Sequence, residues 1–268
     1  MTPATKTEPS TIPLEDTKPS KSLDGDVSQD LAEGSSQVRR KVDWILLPLL
    51  GFCYFLQFLD KQTLSYASLL GMLQDNDLHG TQFSWTASIF YFGYIFWSYP
   101  TMFLSVRLPI GKYLGATVIV WAAVLMFHAA CHNFTGLMIT RFLLGAFEAA
   151  VAPGFSLVTG MWYTRREQPF RYGLWFLGNG MASMLGGLLA YAIGHLESGL
   201  AAWRYLFLIF GAITAAWGLV MFFLLPDTPS STFWLSSTER EMAVRRVTAD
   251  GQAGVKGTFR VSQVIEAL

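Results

Sequence analysis

Six long apolar segments, separated by short polar stretches, follow one another through the middle of the chain. They lie at roughly 44–67, 83–104, 113–131, 135–162, 172–195 and 203–225. An α-helix needs about 20 residues to cross about 30 Å of hydrocarbon, and every segment is near or above that length. The pattern therefore predicts an all-α membrane protein whose residues 41–226 form a bundle of six transmembrane helices.

The two ends of the chain are polar. Residues 1–40 are rich in Ser, Thr, Pro and charged side chains, and they predict a disordered cytoplasmic tail because they cannot bury enough apolar surface to offset the entropy of ordering. Residues 227–268 predict a cytoplasmic segment with a short amphipathic helix, which begins at a capping box formed by Ser236 and Glu239. Another helical pattern begins near residue 261 and stops at Leu268, so we expect a chain truncated before a seventh helix.

Composition supports a membrane protein. The 268 residues are 52% apolar and 14% charged, with a formal net charge of +0, whereas soluble domains carry about 25% charged residues. The balanced charge argues against a nucleic-acid partner, because no excess of positive charge is present to neutralise a run of phosphates. Cys53 and Cys131 lie in apolar segments without metal-ligand spacing, so we expect no metal site and no disulfide. The sequence contains no cofactor-binding or enzyme motif, which predicts a protein that is not an enzyme.

Basic residues predict the orientation in the membrane. One side of the predicted bundle has Arg204 at most, at a helix margin. The other side receives Arg39, Arg40, Lys41, Arg107, Lys112, Arg165, Arg166, Arg171, Arg240, Arg245 and Arg246. Loops rich in Lys and Arg stay in the cytoplasm, so both termini are expected there.

Four ionisable residues fall inside predicted spans: Asp60 and Lys61 in the first, and Arg141 and Glu148 in the fourth. Charges are costly in hydrocarbon, so these side chains should face the bundle interior or a wet cavity. Counting along the helices places Lys61 and Arg141 at similar depth, and Asp60, beside Lys61, is the predicted ion-pair partner of Arg141. Glu148 lies about 10 Å deeper than Arg141, near the midplane, where we expect no cation beside it and an exchangeable proton. A purely structural ion network remains the alternative.

Two further features of the spans carry predictions. His128, late in the third span, is either a packing residue or a proton relay, and the sequence leaves this open. The fifth span has a small residue at every fourth position, which lets another helix approach closely. This small-residue stripe comprises Gly178, Ala182, Gly186, Ala190 and Gly194. Its expected partner is a helix of a missing C-terminal half or of a second copy of the chain.

From about Lys41 onward the sequence resembles the N-terminal half of a major facilitator superfamily transporter, and within it the fungal allantoate permease branch of the anion:cation symporters. The motifs that carry this resemblance are Phe58–Ala67 (FLDKQTLSYA), Tyr99-Pro100, Arg107–Gly115 (RLPIGKYLG), Arg141–Glu148 (RFLLGAFE), Pro153-Gly154-Phe155, Met161-Trp162-Tyr163 and Leu225-Pro226-Asp227. One departure concerns the loop motif between the second and third spans, because Met102–Tyr113 contains no acidic residue.

The resemblance implies half of a twelve-helix fold, in which each half consists of two inverted three-helix repeats. It implies a proton-coupled symporter of the plasma membrane that carries small organic anions such as allantoate, other ureides, carboxylated vitamins or acidic peptides. Lys61 and Arg141 would bind the substrate, and Glu148 would couple the proton. The alternative is a truncated membrane protein that does not transport and acts by association with a full-length relative.

Overall fold

A computed structural model describes residues 21–196 and 199–250, with side chains from Gly34 onward. Within these residues every regular element is helical. The long helices are α1 (Lys21–Leu69), α3 (Gln82–Arg107), α4 (Ile110–Phe127), α5 (Phe134–Glu148), α6 (Val151–Trp162), α7 (Gln168–Gly194), α8 (Ala202–Leu224) and α9 (Ser237–Ala249). The short ones are α2 (Met72–Asp75) and the 3₁₀ turns His128–Ala130 and Pro229–Ser231.

The predicted spans correspond to α1, α3, α4, the pair α5–α6, α7 and α8. Five segments of the described chain are long and apolar enough to cross a membrane: Gly34–Leu69, Ile110–Ala130, Phe134–Trp162, Gln168–Gly194 and Ala202–Leu224. The second predicted span, α3, has 26 residues and carries basic charge only at Arg107. α3 is not among these five segments, because its Tyr, Trp, Ser and Thr side chains make its mean hydropathy lower than theirs.

The bundle is built from three main helix pairs. α4 packs most extensively on α8, α1 on α7, and α3 on α5. Each pair joins one helix from the first three spans to one from the last three, so neither triplet has a core of its own. The buried side chains of the two triplets form one hydrophobic cluster.

Glycines set the distance between α3 and α5. A Cβ atom on Gly93 would collide with the carbonyl oxygen of Phe142, and one on Gly145 would collide with that of Phe90. Backbone therefore touches backbone at both places, as small residues allow in membrane helices.

The small-residue stripe of α7 faces α1, and this corrects the prediction that it awaits a missing half or a second copy. A Cβ atom on Gly178 would lie 2.6 Å from the carbonyl oxygen of Gly51, and one on Gly186 would lie 2.9 Å from Leu59 Cδ1. Ala182 and Ala190 are buried as well. α1 therefore covers the stripe within the same chain, and the small residues allow the backbones of α1 and α7 to approach closely.

The fourth span is two helices. α5 ends at Glu148 and α6 begins at Val151. Pro153 explains the break, because it has no N–H to donate to the carbonyl of Ala149 and its ring would crowd that carbonyl. The interruption places Glu148 at a helix end, in the interior of the bundle.

The N-terminal end of the described chain differs from the predicted disordered tail of residues 1–40. α1 begins at Lys21, so the prediction is wrong from that residue on, while residues 1–20 lie outside the described residues. Val38 is buried, and Gly34 lies against Met242 of α9. The extension of α1 packs on α9, a contact that composition does not reveal.

Helix α9 begins at the predicted capping box. The Ser236 hydroxyl accepts from the amide of Glu239 at 3.3 Å, and Glu239 Oε2 accepts from the amide of Ser236 at 2.7 Å. Lys41 Nζ pairs with the same carboxylate at 3.1 Å. The amide of Ser236 and the Lys41 ammonium hold the pKa of Glu239 below its usual range. The helical pattern predicted from residue 261 lies outside the described residues.

Asp227 supplies a carboxylate to the loop motif that has none of its own. Its Oδ1 accepts from the backbone amides of Gly111 at 2.9 Å and Lys112 at 3.2 Å, at the start of α4. Negative charge is favourable at a helix N-terminus, where amides have no partner in the helix. The motif after the sixth span thus compensates locally for the missing acid between the second and third.

Candidate functional site

Lys61 and Glu148 form an ion pair inside the bundle. Lys61 Nζ lies 3.3 Å from Glu148 Oε2, and the carboxylate side chain is 0% exposed, whereas that of Lys61 is 32% exposed. The expectation that Glu148 has no cation beside it is therefore wrong. α1 continues past 67 to Leu69, and the four-carbon side chain of lysine reaches across the remaining difference in depth.

The break between α5 and α6 contributes a second contact to this pair. The Gln57 amide lies 3.5 Å from the backbone carbonyl oxygen of Glu148, which the break leaves without a regular helical partner. Gln57 lies one turn before Lys61 on the same face of α1. Sequence reasoning missed Gln57, although its position four residues before an intramembrane lysine was a usable signal.

Asp60 points elsewhere. Its Oδ2 accepts a hydrogen bond from Trp121 Nε1 of α4 at 2.9 Å, and the side chain is fully buried. Among the described residues it forms no ion pair with Arg141, so the structure corrects that prediction. Successive residues of a helix point about 100° apart, and this separates the directions of Asp60 and Lys61.

Arg141 is buried in α5 and has spare donors. Its Nε and Nη2 atoms have no hydrogen-bond partner among the described residues, and its Cζ lies 5.9 Å from the ring centroid of Phe207 in α8. The relative exposure of Arg141 is 2%. A buried guanidinium with unused N–H groups is suited to binding a carboxylate in two-point geometry.

Arg141 and Lys61 line the same cavity, which has a volume of about 310 Å³. Aromatic and small polar side chains of α1 and α3 complete its wall. The lining residues are Phe58, Lys61, Gln62, Leu64, Ser65, Phe83, Ala87, Phe90, Tyr91 and Arg141. Ligand sites typically combine mostly apolar walls with a few convergent polar groups. Of the four predicted ionisable residues, only Lys61 and Arg141 line this cavity. Glu148 contacts Lys61 away from the cavity wall, and Asp60 contacts Trp121 of α4.

His128 occupies a packed position near the end of α4. Its Nδ1 lies 3.0 Å from the carbonyl oxygen of Val124, and its ring stacks on Phe207 with centroids 5.0 Å apart. Among the described residues, no group of three His, Cys, Asp or Glu side chains could hold a metal ion.

Residues 50–264 match the model of the Major Facilitator Superfamily. The chain belongs to this family. Its helical architecture agrees with a bacterial homolog of the human lysosomal transporter Spinster. In the inward-facing unoccupied conformation the TM-score is 0.62 at 20% identity, over 72% of this chain and 44% of the other. In the occupied conformation the TM-score is 0.56 at 19% identity, over 66% and 43%. These solved structures establish the fold alone, as half of the family's fold.

Fungal transporters are similar to this chain in sequence. An uncharacterized transporter of Schizosaccharomyces pombe is 39% identical over 91% of this chain and 46% of its own length. The allantoate permease of Saccharomyces cerevisiae is 35% identical over 88% and 44%, and the thiamine pathway transporter of the same yeast is 37% identical over 87% and 45%. The chain spans about half the length of these curated relatives, as the resemblance to an N-terminal half predicts. Their names are those of transporters, which agrees with the prediction of a multi-pass membrane protein that is not an enzyme.

Proposed function

We propose that this chain forms the N-terminal half of a proton-coupled symporter for small organic anions. Arg141 and Lys61 bind the substrate carboxylate from the cavity wall, and Glu148 exchanges the coupled proton. Asp60 has a structural role, held by Trp121 beside the site. The observation that carries the proposal is the 3.3 Å contact between Lys61 and Glu148 at the edge of a cavity that Arg141 also lines.

The ion pair offers a direct mechanism for coupling. While Glu148 is ionised it neutralises Lys61, and only Arg141 is available to an anion. When Glu148 takes up a proton, the Lys61 ammonium is released to pair with the substrate carboxylate. Proton and anion therefore favour each other's binding, and the coupling is reciprocal by thermodynamic linkage. Co-release on the opposite face would make the chain part of a symporter.

The substrate class follows from the charges and from the relatives. Two cations with aromatic walls suit a small acid, and the relative named allantoate permease makes allantoate, a carboxylated ureide, the first candidate. Carboxylated vitamins and acidic peptides belong to the same class. Both termini lie in the cytoplasm in this proposal, because the basic residues of the loops gather on one side of the bundle. The plasma membrane is the location that the resemblance to the allantoate permease branch implies.

Titration calorimetry of the purified chain in lipid nanodiscs tests this proposal. Allantoate is titrated in two buffers of different ionisation enthalpy, which gives the number of protons bound with the anion. We expect uptake of about one proton at neutral pH, and uptake near zero for Glu148→Gln. Arg141→Ala should abolish measurable binding. Glu241→Gln and Arg245→Ala, an exposed pair on α9, are the matched controls and should behave as wild type.

Two results would contradict the assignment. Binding with an unchanged proton count in Glu148→Gln removes Glu148 from coupling. Unchanged affinity in Arg141→Ala removes Arg141 from the anion site. Uptake into vesicles, with the chain alone and with the C-terminal half of a relative, then separates a transporter half from an accessory protein.

A further inference from the structure

The Arg141 guanidinium is held in an unusual way for a buried cation. Among the described residues, no carboxylate lies within 4.0 Å of it, and its Nε and Nη2 atoms donate to nothing. Its described neighbour is the Phe207 ring, 5.9 Å from Cζ. An aromatic ring attracts a cation through its quadrupole within about 6 Å, and this interaction does not use up the N–H donors.

The Phe207 ring is itself fixed. It is fully buried, and His128 stacks on it with an angle of 16° between the ring planes. Trp203 meets it edge-on, with centroids 6.1 Å apart. Since a carbonyl oxygen only accepts, the 3.0 Å contact to Val124 places the proton of His128 on Nδ1 and fixes the orientation of the imidazole. The ring is thus held by His128, from the 3₁₀ turn after α4, and by Trp203, from its own helix α8.

We propose that Phe207, with His128 stacked on it, is a positioning residue for Arg141. The ring holds the guanidinium, and the Nε–H and Nη2–H groups stay available for a substrate carboxylate. A carboxylate partner in the same place would occupy those donors and compete with the anion. This inference rests on the proposed function for its consequence in binding, but the contact between ring and guanidinium can be tested separately.

Nuclear magnetic resonance of the chain in nanodiscs, with ¹⁵N-labelled arginine, tests the contact itself. The Arg141 Nε–H signal is assigned by its absence from the spectrum of Arg141→Lys. Ring current from Phe207 should displace this signal in the wild type and in Phe207→Tyr, and the displacement should be lost in Phe207→Leu. Phe210→Leu, a buried phenylalanine of the same helix with a similar loss of volume, is the matched control and should leave the signal in place.

A milder variant covers the case in which Phe207→Leu does not fold. His128→Asn keeps a donor for the Val124 carbonyl but removes the stacked ring, so the signal should move in the same direction by a smaller amount. If neither variant moves the Arg141 signal more than Phe210→Leu does, the positioning role is overturned.

Allantoate titration then separates this inference from the proposed function. We expect Phe207→Leu to weaken binding about tenfold and Phe210→Leu to change it less than twofold. Equal affinity in wild type and Phe207→Leu would overturn the positioning role and leave the anion site intact. A ring-dependent Arg141 signal that does not respond to allantoate in the wild type would overturn the proposed function and leave the positioning role standing.

Discussion

Two lysine–glutamate pairs of similar length anchor α1 at two depths. Lys41 pairs with Glu239 at 3.1 Å near the end of the bundle where α9 lies, and Lys61 pairs with Glu148 at 3.3 Å inside the bundle. The two lysines are 20 residues apart, about 30 Å along the helix. The glutamate side chain is 25% exposed in the first pair and 0% in the second.

Their surroundings give the pairs different roles. Around Lys41 each of these cations has a carboxylate nearby: Arg171 donates to Asp43 at 3.1 and 2.8 Å, and Glu167 lies within 4 Å of both Arg39 and Arg246. Two buried donors of Arg246 still have no hydrogen-bond partner among the described residues. Around Lys61 the polar groups are only partly satisfied, since Arg141 keeps free donors. Charges that lie beside an opposite charge fix a structure, whereas a buried cation with unused donors and no carboxylate within about 4 Å is available to an anionic ligand.

The largest expected effect comes from breaking the pair inside the bundle, Lys61–Glu148, which we call the inner pair. Lys61→Met leaves the Glu148 carboxylate buried without its cation, which should cost about 3–5 kcal/mol of stability at neutral pH. Lys41→Met breaks an exposed pair and should cost about 0–1 kcal/mol. Thermal unfolding of both variants in nanodiscs measures the difference.

A double variant decides whether the loss comes from the stranded carboxylate. Lys61→Met combined with Glu148→Gln removes both charges, so most of the stability should return while proton-linked anion binding stays lost. Equal losses in the single and double variants would mean that the lysine side chain matters for packing and not for charge.

The close contact between α1 and α7 should be the next most sensitive feature. Gly178→Ala places a methyl group against the backbone of Gly51 and Phe55, and overpacking of this kind costs about 1–3 kcal/mol. Gly180→Ala, two residues along the same helix, meets no atom within 4 Å and is the matched control. A comparison of their melting temperatures tests whether α1 covers the small-residue stripe, and equal values would contradict it.

The lengths and positions of the helices follow from the sequence, but the partners inside the bundle do not. Apolar length alone predicts a span over 203–225, and α8 is Ala202–Leu224. The capping box at Ser236 is equally local. By contrast, assigning Asp60 to Arg141 required the direction of each side chain around its helix, and a change of one residue turns that direction by about 100°. Contacts between helices decide which partner a side chain meets. For Asp60 the deciding contact is the hydrogen bond from Trp121 of α4.

The break between α5 and α6 and the small-residue stripe of α7 also show that sequence predicts local features but not the partners they contact. Pro153 predicts an interruption near Glu148 from the missing N–H alone. It does not predict that Gln57 lies near the buried backbone carbonyl of Glu148, because Gln57 belongs to another helix. The small residues of α7 predict close approach by a helix, but only the fold identifies that helix as α1.

Trp121→Phe should have an intermediate effect on stability. It tests Asp60, a buried carboxylate that is held by a hydrogen bond from an uncharged donor, whereas Glu148 pairs with a cation. The substitution removes the indole donor to Asp60 Oδ2, and a buried acceptor left without its partner costs about 1–3 kcal/mol. Trp44→Phe, at an 81% exposed position on α1, is the control and should change little. Chemical unfolding of both variants measures the cost. No loss in Trp121→Phe would mean that Asp60 finds another donor.

The smallest expected effect is the pH dependence of the stability that the outer pair, Lys41–Glu239, gives to α9. Because the pKa of Glu239 lies below its usual value, its stabilising contribution is complete above the unfolded pKa, about 4.3. That contribution is lost as pH falls through the lower folded value, since the protonated acid no longer attracts Lys41 or accepts as strongly from Ser236. The protection factor of amides in the first turn of α9, which is the exchange rate measured against the intrinsic rate at each pH, should therefore fall on acidification in wild type and vary less in Glu239→Gln. Equal pH dependence in both would show that the capping box holds α9 without the charge, and that the outer pair, unlike the inner one, is dispensable.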